Sequence, residues 1–521
     1  MSKNEFKKER LKFVDCFILP NSGLRSFLNN VEEGQPYIYH SPWIKMPDYE
    51  FEMNPKIQNK RVLSQFKKIM DGWIPHLSQL STSWPELLEF EKDLAAKNGP
   101  MSIMQPLSKR MEDIDSYYDG ILLPAEKLED RAIAATVDKF KQCKGLTLRS
   151  QQRTVDTMKK STNSGSPYYT KKRQVVEKTV PCEAYVSHQI LDRTKRFGSC
   201  AVLGWRGQEG GMSPDSTKQR VVWMFPFSAN IRELQLYQPL IECCQSFDLV
   251  PAWVSMESVD KRVTALFDTK GKDDLVICTD FSKFDQHFNS ELQNAARSVL
   301  SQLMRDTAES RDWLKNVFPI KYEIPLAYSW CKIREGKHGM GSGSGGTNAD
   351  ETLAHTVLQY CAAMEHNTTL NPNSQCLGDD GILSYPGITA KDVMESYTKH
   401  GLVMNATKQY ESTHDCVYLR RWHHQDYRVD GVCVGVYSTA RALGRLCMHE
   451  RFYDADSWSA EMVALRELSI IENCKYHPLK EEFADYCISR DRFRLGIDIP
   501  GFLDNIDRIA KKAIDLMPDF L

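Results

Sequence analysis

The sequence has no Cys-x-x-Cys pair although it carries fifteen cysteines, and Cys243 and Cys244 are neighbours that cannot readily bridge. A zinc ribbon and a disulfide framework are therefore disfavoured, and reduced thiols in a cytosolic setting are expected. No apolar run approaches the ~20 residues of a membrane span. Met1 to Pro20 is charged and its apolar run is broken by Asp15 and Cys16, so it fails as a signal peptide. Internal repeats and long low-complexity tracts are missing as well. So is a surplus of one charge sign: the formal net charge is -2 and the pI near 6.7. A wholly basic coat is excluded, and any nucleic-acid surface must be local, as in an interior channel. What remains is a soluble intracellular chain of ordinary globular composition, 521 residues long. That length suggests about three or four subdomains.

Within that chain, Gln375 to Leu383 places Asp379 and Asp380 between Gly378 and Gly381, with short apolar segments on both sides. The pattern predicts a tight hairpin whose tip presents two carboxylates. Asp273 to Asp280 predicts a buried strand ending on Asp280, followed five residues later by Asp285. Two strand-end carboxylates can share divalent cations at ~3.5–4 Å separation. A helix cap is the plainer reading of Asp285. Five of the eight residues from Gly339 to Gly346 are glycine, and this loop feeds an amphipathic segment from 349 to 366. Such a loop at a helix start lets a ligand approach the backbone closely.

Residues 139 to 178 carry a surplus of nine positive charges. Inside this stretch Ser164, Gly165, Pro167 and Tyr168 combine small residues that admit a phosphate backbone with an aromatic face for unpaired bases. Lys218 and Arg220 are two apart and would share one face of a strand, beside the glycine-rich Trp205 to Gly211 with its Arg206. They could hold a triphosphate, or simply protect an exposed edge. Leu402 to Tyr410 predicts a strand carrying Lys408, and Cys416 to Trp422 a second short strand. His423 and His424 are expected in an exposed loop.

Taken in order, these stretches resemble the motifs of viral RNA-dependent RNA polymerases across residues 164 to 421. Ser164 to Tyr168 is similar to the template-path motif, Lys218 and Arg220 to the triphosphate clamp, and Asp280 with Asp285 to the first palm motif. Ser342, Gly343 and Thr347 resemble the second, Asp379 with Asp380 the third, and Lys408 with Tyr418 to Arg421 the last two. Ser342 to Asp350 and the overall length are similar to the polymerases of picobirnaviruses, which have double-stranded RNA genomes. One departure stands out: Glu351 occupies the place where the family usually has an asparagine four residues after the threonine, and Asn348 is a possible substitute.

The resemblance implies an α+β right-hand fold, with a palm built on an antiparallel sheet between fingers and thumb. It implies an N-terminal arm over 1–75, fingers over 76–268 and 296–335, palm over 269–295 and 336–425, and thumb over 426–521. Asp280, Asp379 and Asp380 would hold two Mg²⁺ or Mn²⁺ ions, with Asp380 auxiliary. Lys218, Arg220 and Arg206 would neutralise the triphosphate, and Lys408 would protonate the leaving group. Asp285, with Ser342, Gly343, Thr347 and Asn348 nearby, would read the ribose. Ser164, Gly165, Pro167, Tyr168, Arg420 and Arg421 would contact RNA. The implied partners are template and product RNA, ribonucleoside triphosphates and a capsid protein, around a monomer inside the virion or in the host cytoplasm. A non-catalytic RNA-binding protein would leave the paired carboxylates unexplained.

Overall fold

In a computed structural model of the chain, residues 22–47, 53–186, 189–194, 196–330, 332–454 and 458–513 are described. The first 21 positions, where a signal peptide is argued against above, lie outside the described residues. Helices α1 (Pro55–Trp73) and α2 (Pro85–Lys97) each start on a proline, whose fixed φ and missing N–H suit a first turn. Strands β1 (Ala201–Gln208) and β2 (Lys218–Met224) follow, then helix α3 (Met256–Thr269) and strand β3 (Val276–Thr279). Next come β4 (Leu326–Ser329), β5 (Lys332–Arg334), helix α4 (Thr347–Glu365), and strands β6 (Gln375–Leu377), β7 (Asp380–Leu383) and β8 (Tyr410–Ser412). The last labelled elements are strands β9 (Asp415–Tyr418), β10 (Arg421–His424) and β11 (Val436–Tyr437), and helices α5 (Thr439–Cys447), α6 (Ala460–Glu472) and α7 (Lys480–Arg490).

The molecule mixes helices with sheets whose strand pairs are mainly antiparallel. The central sheet has the order β8-β3-β7-β6 and is antiparallel throughout. All four residues of β3 are buried, which suits its Val-Ile-Cys-Thr sequence, with β-branched side chains packing on both faces. A second sheet runs β2-β1-β4-β5, with β1 and β4 parallel, and a third runs β9-β10-β11. The largest apolar core joins Ile277 and Leu383 of the central sheet to Leu353, Val357 and Leu358 of α4, and reaches Leu203 and Trp223 of the second sheet. The site-bearing strands therefore stand on a packed helix.

Within the expected N-terminal arm, the helix Ser22–Glu33 sets Leu24 and Leu28 against Val202 and Ala327 of the second sheet. Farther along, Ile38, Trp43, Val62 and Trp73 share a core with Leu443, Leu446 and Phe483 of the C-terminal helices.

Three sequence expectations are corrected. The strand expected over 402–410 begins only at Tyr410, because Asn405 donates its N–H to the Asp280 carbonyl and turns the chain there. The strand expected over 416–422 is two strands, β9 and β10, joined by Leu419 and Arg420, both at positive φ. His423 and His424 lie in β10 and are buried, not in an exposed loop.

Candidate active site

The β6–β7 hairpin turns at Gly378 and Asp379, with Gly378 at φ 58, where glycine avoids a Cβ clash. Helix α4 holds this turn with one polar stripe. Thr352 Oγ1 accepts from the Gly378 N–H at 3.0 Å, His355 Nδ1 lies 2.8 Å from the Gly378 carbonyl, and Gln359 Nε2 donates to the Gln375 carbonyl at 3.0 Å. These residues sit three and four apart, on one helix face.

Strand β7 pairs with β3 so that Gly381 faces Thr279, and one step further along the register puts Asp380 beside Asp280. Asp379 is exposed at the tip and Asp280 and Asp380 are half-buried. Gln409 clamps the backbone of Asp280, accepting its N–H at 3.2 Å and donating to its carbonyl at 2.6 Å. Asp380 Oδ2 accepts from the Leu419 N–H at 2.8 Å, which pins the positive-φ turn of the β9–β10 hairpin against the central sheet.

The electrostatics tie the three carboxylates together. Asp380 is pushed up to about 7, by burial first and then by the charge of Asp379. Asp379 is raised too, because the protein packed around the turn keeps bulk water from part of its carboxylate even though its side chain reaches the surface, with Asp285 adding to the rise and Arg220 opposing it. Burial raises Asp280, and Lys408 and Lys218 pull it back. Lys218 is in turn lowered, first by burial and then by Lys408. Carboxylates on adjacent strand ends are the kind of hard oxygen donor that suits Mg²⁺ or Mn²⁺, although the ligand atoms of Asp280, Asp379 and Asp380 do not all lie within 4.8 Å of one another.

Around this centre Lys218, Arg220 and Lys408 all expose their side chains. Arg206 lies opposite Arg220 across the β1–β2 pair, and it makes an ion pair with Glu450 at 2.6 Å. Asp285 is bonded by Ser342 Oγ, and its carbonyl accepts from the Met340 N–H at 2.8 Å. Gly343 is at φ 124 with a Cβ position 2.1 Å from the Trp223 carbonyl, so only glycine lets the loop lie there. Thr347 begins α4, and a buried Lys321–Asp350 ion pair at 3.0 Å, with Tyr237 and Tyr322 donating to Asp350, anchors that helix start. Asn348 Oδ1 accepts from Trp253 Nε1 at 2.7 Å.

Other expected residues are placed differently. Ser164, Gly165 and Pro167 are buried, and the space a Gly165 Cβ would need is filled by the Phe225 carbonyl at 2.4 Å. Their small size therefore lets protein backbone approach rather than phosphate, and Tyr168 alone of the four is partly open, its hydroxyl donating to Asp192. Arg421 is not available to RNA: it is buried and makes a forked pair with Asp260 at 2.7 and 3.0 Å. Its neighbour Arg420 is exposed, 3.4 Å from Glu209. Sequence reasoning missed Thr352, His355, Gln359 and Gln409. The first three were signalled by polar residues at i, i+3 and i+7 in a helix whose other residues are mostly apolar.

Among the described residues, Glu86, His414 and His424 bring potential ligand atoms within 4.8 Å of one another. This cluster is already hydrogen-bonded: His414 Nε2 meets Glu86 at 2.7 Å, and His424 Nδ1 accepts from the Asp426 N–H. No helix of the described residues is long and apolar enough to cross a membrane.

The chain resembles known proteins in both sequence and fold. The family model described as viral RNA-dependent RNA polymerase matches residues 108–432. A potential RNA-dependent RNA polymerase of human picobirnavirus is 59% identical over 508 residues, covering 97% of this chain and 92% of the relative. The crystal structure of the RNA-dependent RNA polymerase of a human picobirnavirus superimposes with a TM-score of 0.90 at 59% identity, covering 95% of this chain and 92% of that one. An insertion-loop deletion mutant of such a polymerase gives the same score at 58% identity, covering 95% of both chains.

Proposed function

The chain belongs to the viral RNA-dependent RNA polymerase family, and on that premise we propose that it makes RNA on an RNA template by two-metal nucleotidyl transfer, transcribing and replicating a double-stranded RNA genome. The observation that carries this reading is the strand register that sets Asp380 beside Asp280, with Asp379 at the adjoining tip and the charges of Lys218, Arg220 and Lys408 acting on these carboxylates.

Asp280 and Asp379 would hold two Mg²⁺ or Mn²⁺ ions, with Asp380 assisting. When bound, such ions lower the pKa of an attacking hydroxyl and stabilise the leaving oxygen. Lys218 and Arg220 neutralise charge on the incoming triphosphate, Arg by its fork and Lys as a point charge. Arg206 joins them when its pair with Glu450 opens. Lys408, exposed beside Asp280, donates a proton to the leaving group. Asp285 accepts from the ribose 2′-hydroxyl, held by Ser342, while Gly343, Thr347 and Asn348 shape the loop beneath the nucleotide. Tyr168 and Arg420 contact the RNA strands.

In this reading the central sheet is the palm, spanning 269–295 and 336–425. Fingers span 76–268 and 296–335, the thumb 426–521, and residues 1–75 form an arm between fingers and thumb. The apolar contacts of the arm with both the second sheet and the C-terminal helices support that division. The protein acts as a monomer alongside the capsid protein, in the virion interior and the host cytoplasm.

Incubation with template RNA, four ribonucleotides and Mn²⁺ tests the proposal. Asp379→Asn and Asp380→Asn should each abolish incorporation while the melting temperature stays within a few degrees of wild type. Wild-type rates in both variants would overturn it.

A further inference from the structure

Two hydroxyls of the glycine-rich loop are bonded to carboxylates on different elements. Ser342 Oγ donates to Asp285, whereas Ser344 Oγ donates to Oε2 of Glu233, a residue 111 positions earlier in the helix Phe227–Ser246. Ser344 Oγ in turn accepts from the Gly346 N–H at 3.0 Å, and the Ser344 N–H donates to the Gly341 carbonyl at 3.2 Å. The loop is thus gathered around Ser344. The helix below is its floor: a Cβ on Gly345 would lie 2.9 Å from Leu234 Cγ, and one on Gly346 would strike the Tyr237 ring. Tyr237 also donates to Asp350 at 2.7 Å, which ties this floor to the first turn of α4.

A carboxyl is a costly side chain in that place. Glu233 is fully buried, and its Oε1 has no hydrogen-bond partner among the described residues. The cation that acts on it most strongly, Lys321, is already paired with Asp350 at 3.0 Å. Burial pushes Glu233 up to about 7, with Lys321 and Ser344 opposing the rise. A half-satisfied buried carboxyl weakens a fold, and leucine, of similar bulk, would pack there without that penalty. Stability alone therefore does not account for Glu233. What a carboxyl supplies and leucine does not is the acceptor for Ser344.

We propose that Glu233 is a positioning residue for nucleotide binding: by accepting from Ser344 it fixes the glycine-rich loop on the helix beneath it, and so sets where Ser342 and Gly343 meet the incoming nucleotide. This deepens the polymerase reading and rests on it. Five glycines among the eight residues from Gly339 to Gly346 leave the loop little rigidity of its own, so its place depends on such anchors. Ser342 stands two residues from Ser344, and its carbonyl accepts from the Trp223 N–H at 2.8 Å. A shift at Ser344 is passed along this short tether to Ser342, and through Ser342 to Asp285.

The test is steady-state incorporation on template RNA, with nucleotide KM and kcat read separately and a melting curve for each protein. Glu233→Leu removes the acceptor and should raise nucleotide KM about tenfold or more, while the melting temperature stays at or above that of wild type. Glu233→Gln keeps an acceptor and should hold KM within about threefold. Ser344→Ala should match Glu233→Leu, and the double variant should go no further, because both substitutions remove the same bond. A folded Glu233→Leu with wild-type KM overturns the proposal, since a merely structural role would move the melting temperature alone. So does a glutamine variant as impaired as the leucine one, or a double variant whose effects multiply. Should Glu233→Leu fail to fold, Ser344→Ala, at a half-buried position, decides between these outcomes. Wild-type incorporation in the same assay reports separately on the polymerase reading.

Discussion

At Arg420 and Arg421 two adjacent arginines have opposite fates, and the β9–β10 turn decides which is which. Positive φ at Arg420 swings its side chain outward, whereas Arg421 starts β10 and points inward to Asp260. Removing one partner of a buried ion pair strands the other charge, at a cost of about 3–5 kcal/mol. Arg421→Ala should therefore lower the urea midpoint markedly, and its loss of activity should follow the loss of folded protein. Arg420→Ala should leave the midpoint unchanged and weaken RNA binding at low salt. The slope of log affinity against log salt should then fall by ~0.7, as for one phosphate contact on a single strand. Titration of labelled RNA at several salt concentrations, beside urea unfolding, sorts the two. Equal RNA affinity of Arg420→Ala and wild type at low salt would remove Arg420 from the RNA path.

Helix α4 works as a ruler for the hairpin. Thr352, His355 and Gln359 bond the backbone of the β6–β7 hairpin at its turn and on both strands, so the tip carboxylates inherit the rigidity of a buried helix. Thr352→Val keeps the shape and removes the acceptor for the Gly378 N–H. Freed to shift, Asp379 would no longer meet Asp280 at the right distance, and misplacement by about 1 Å can cost on the order of 10²-fold in rate. The expected outcome is a fall in kcat of tenfold or more with nucleotide KM little changed, read by steady-state incorporation. An unchanged kcat would show that the turn holds itself. How much of this was legible follows from where the information lies along the chain. The strand ending at Asp280, the Gly378–Asp379 turn and the shared face of Lys218 and Arg220 are set by local periodicity and glycine placement, and the sequence displays them. The burial of Arg421 depends on Asp260, 161 positions earlier. The burial of Gly165 depends on Phe225, and that of His423 on the packing of a third sheet. No local pattern announces such partners, so a charged or small residue there looks like a surface group.

Across the whole molecule, the beginning and the end of the described chain are locked by buried polar contacts, and these carry a pH dependence. Trp43, from the N-terminal segment, donates through Nε1 to Glu467 of α6 at 2.8 Å, and the carboxyl of Asp491 acts on Glu467 from nearby. Glu91 of α2 likewise accepts from Ser438, Thr439 and His477, and tightens the same junction. Burial, then the charge of Asp491, raises Glu467 from an ordinary 4.5 to about 8, with Trp43 and Arg466 opposing the rise. Its folded form therefore holds a proton that the unfolded chain releases near 4.5. The stability that this proton contributes is complete below about pH 4.5 and is lost as pH rises toward 8. Glu233 and Asp380, each raised to about 7, act with the same sign, so the wild-type profile alone cannot isolate Glu467. The difference between Glu467→Gln and wild type does isolate it, because glutamine is neutral at every pH and still accepts from Trp43. The two proteins should melt at nearly the same temperature at pH 5, and the variant should melt higher at pH 8.5. Parallel melting curves across that range would mean that Glu467 is charged in the folded chain as it is in the unfolded one, and that Trp43 donates to a carboxylate.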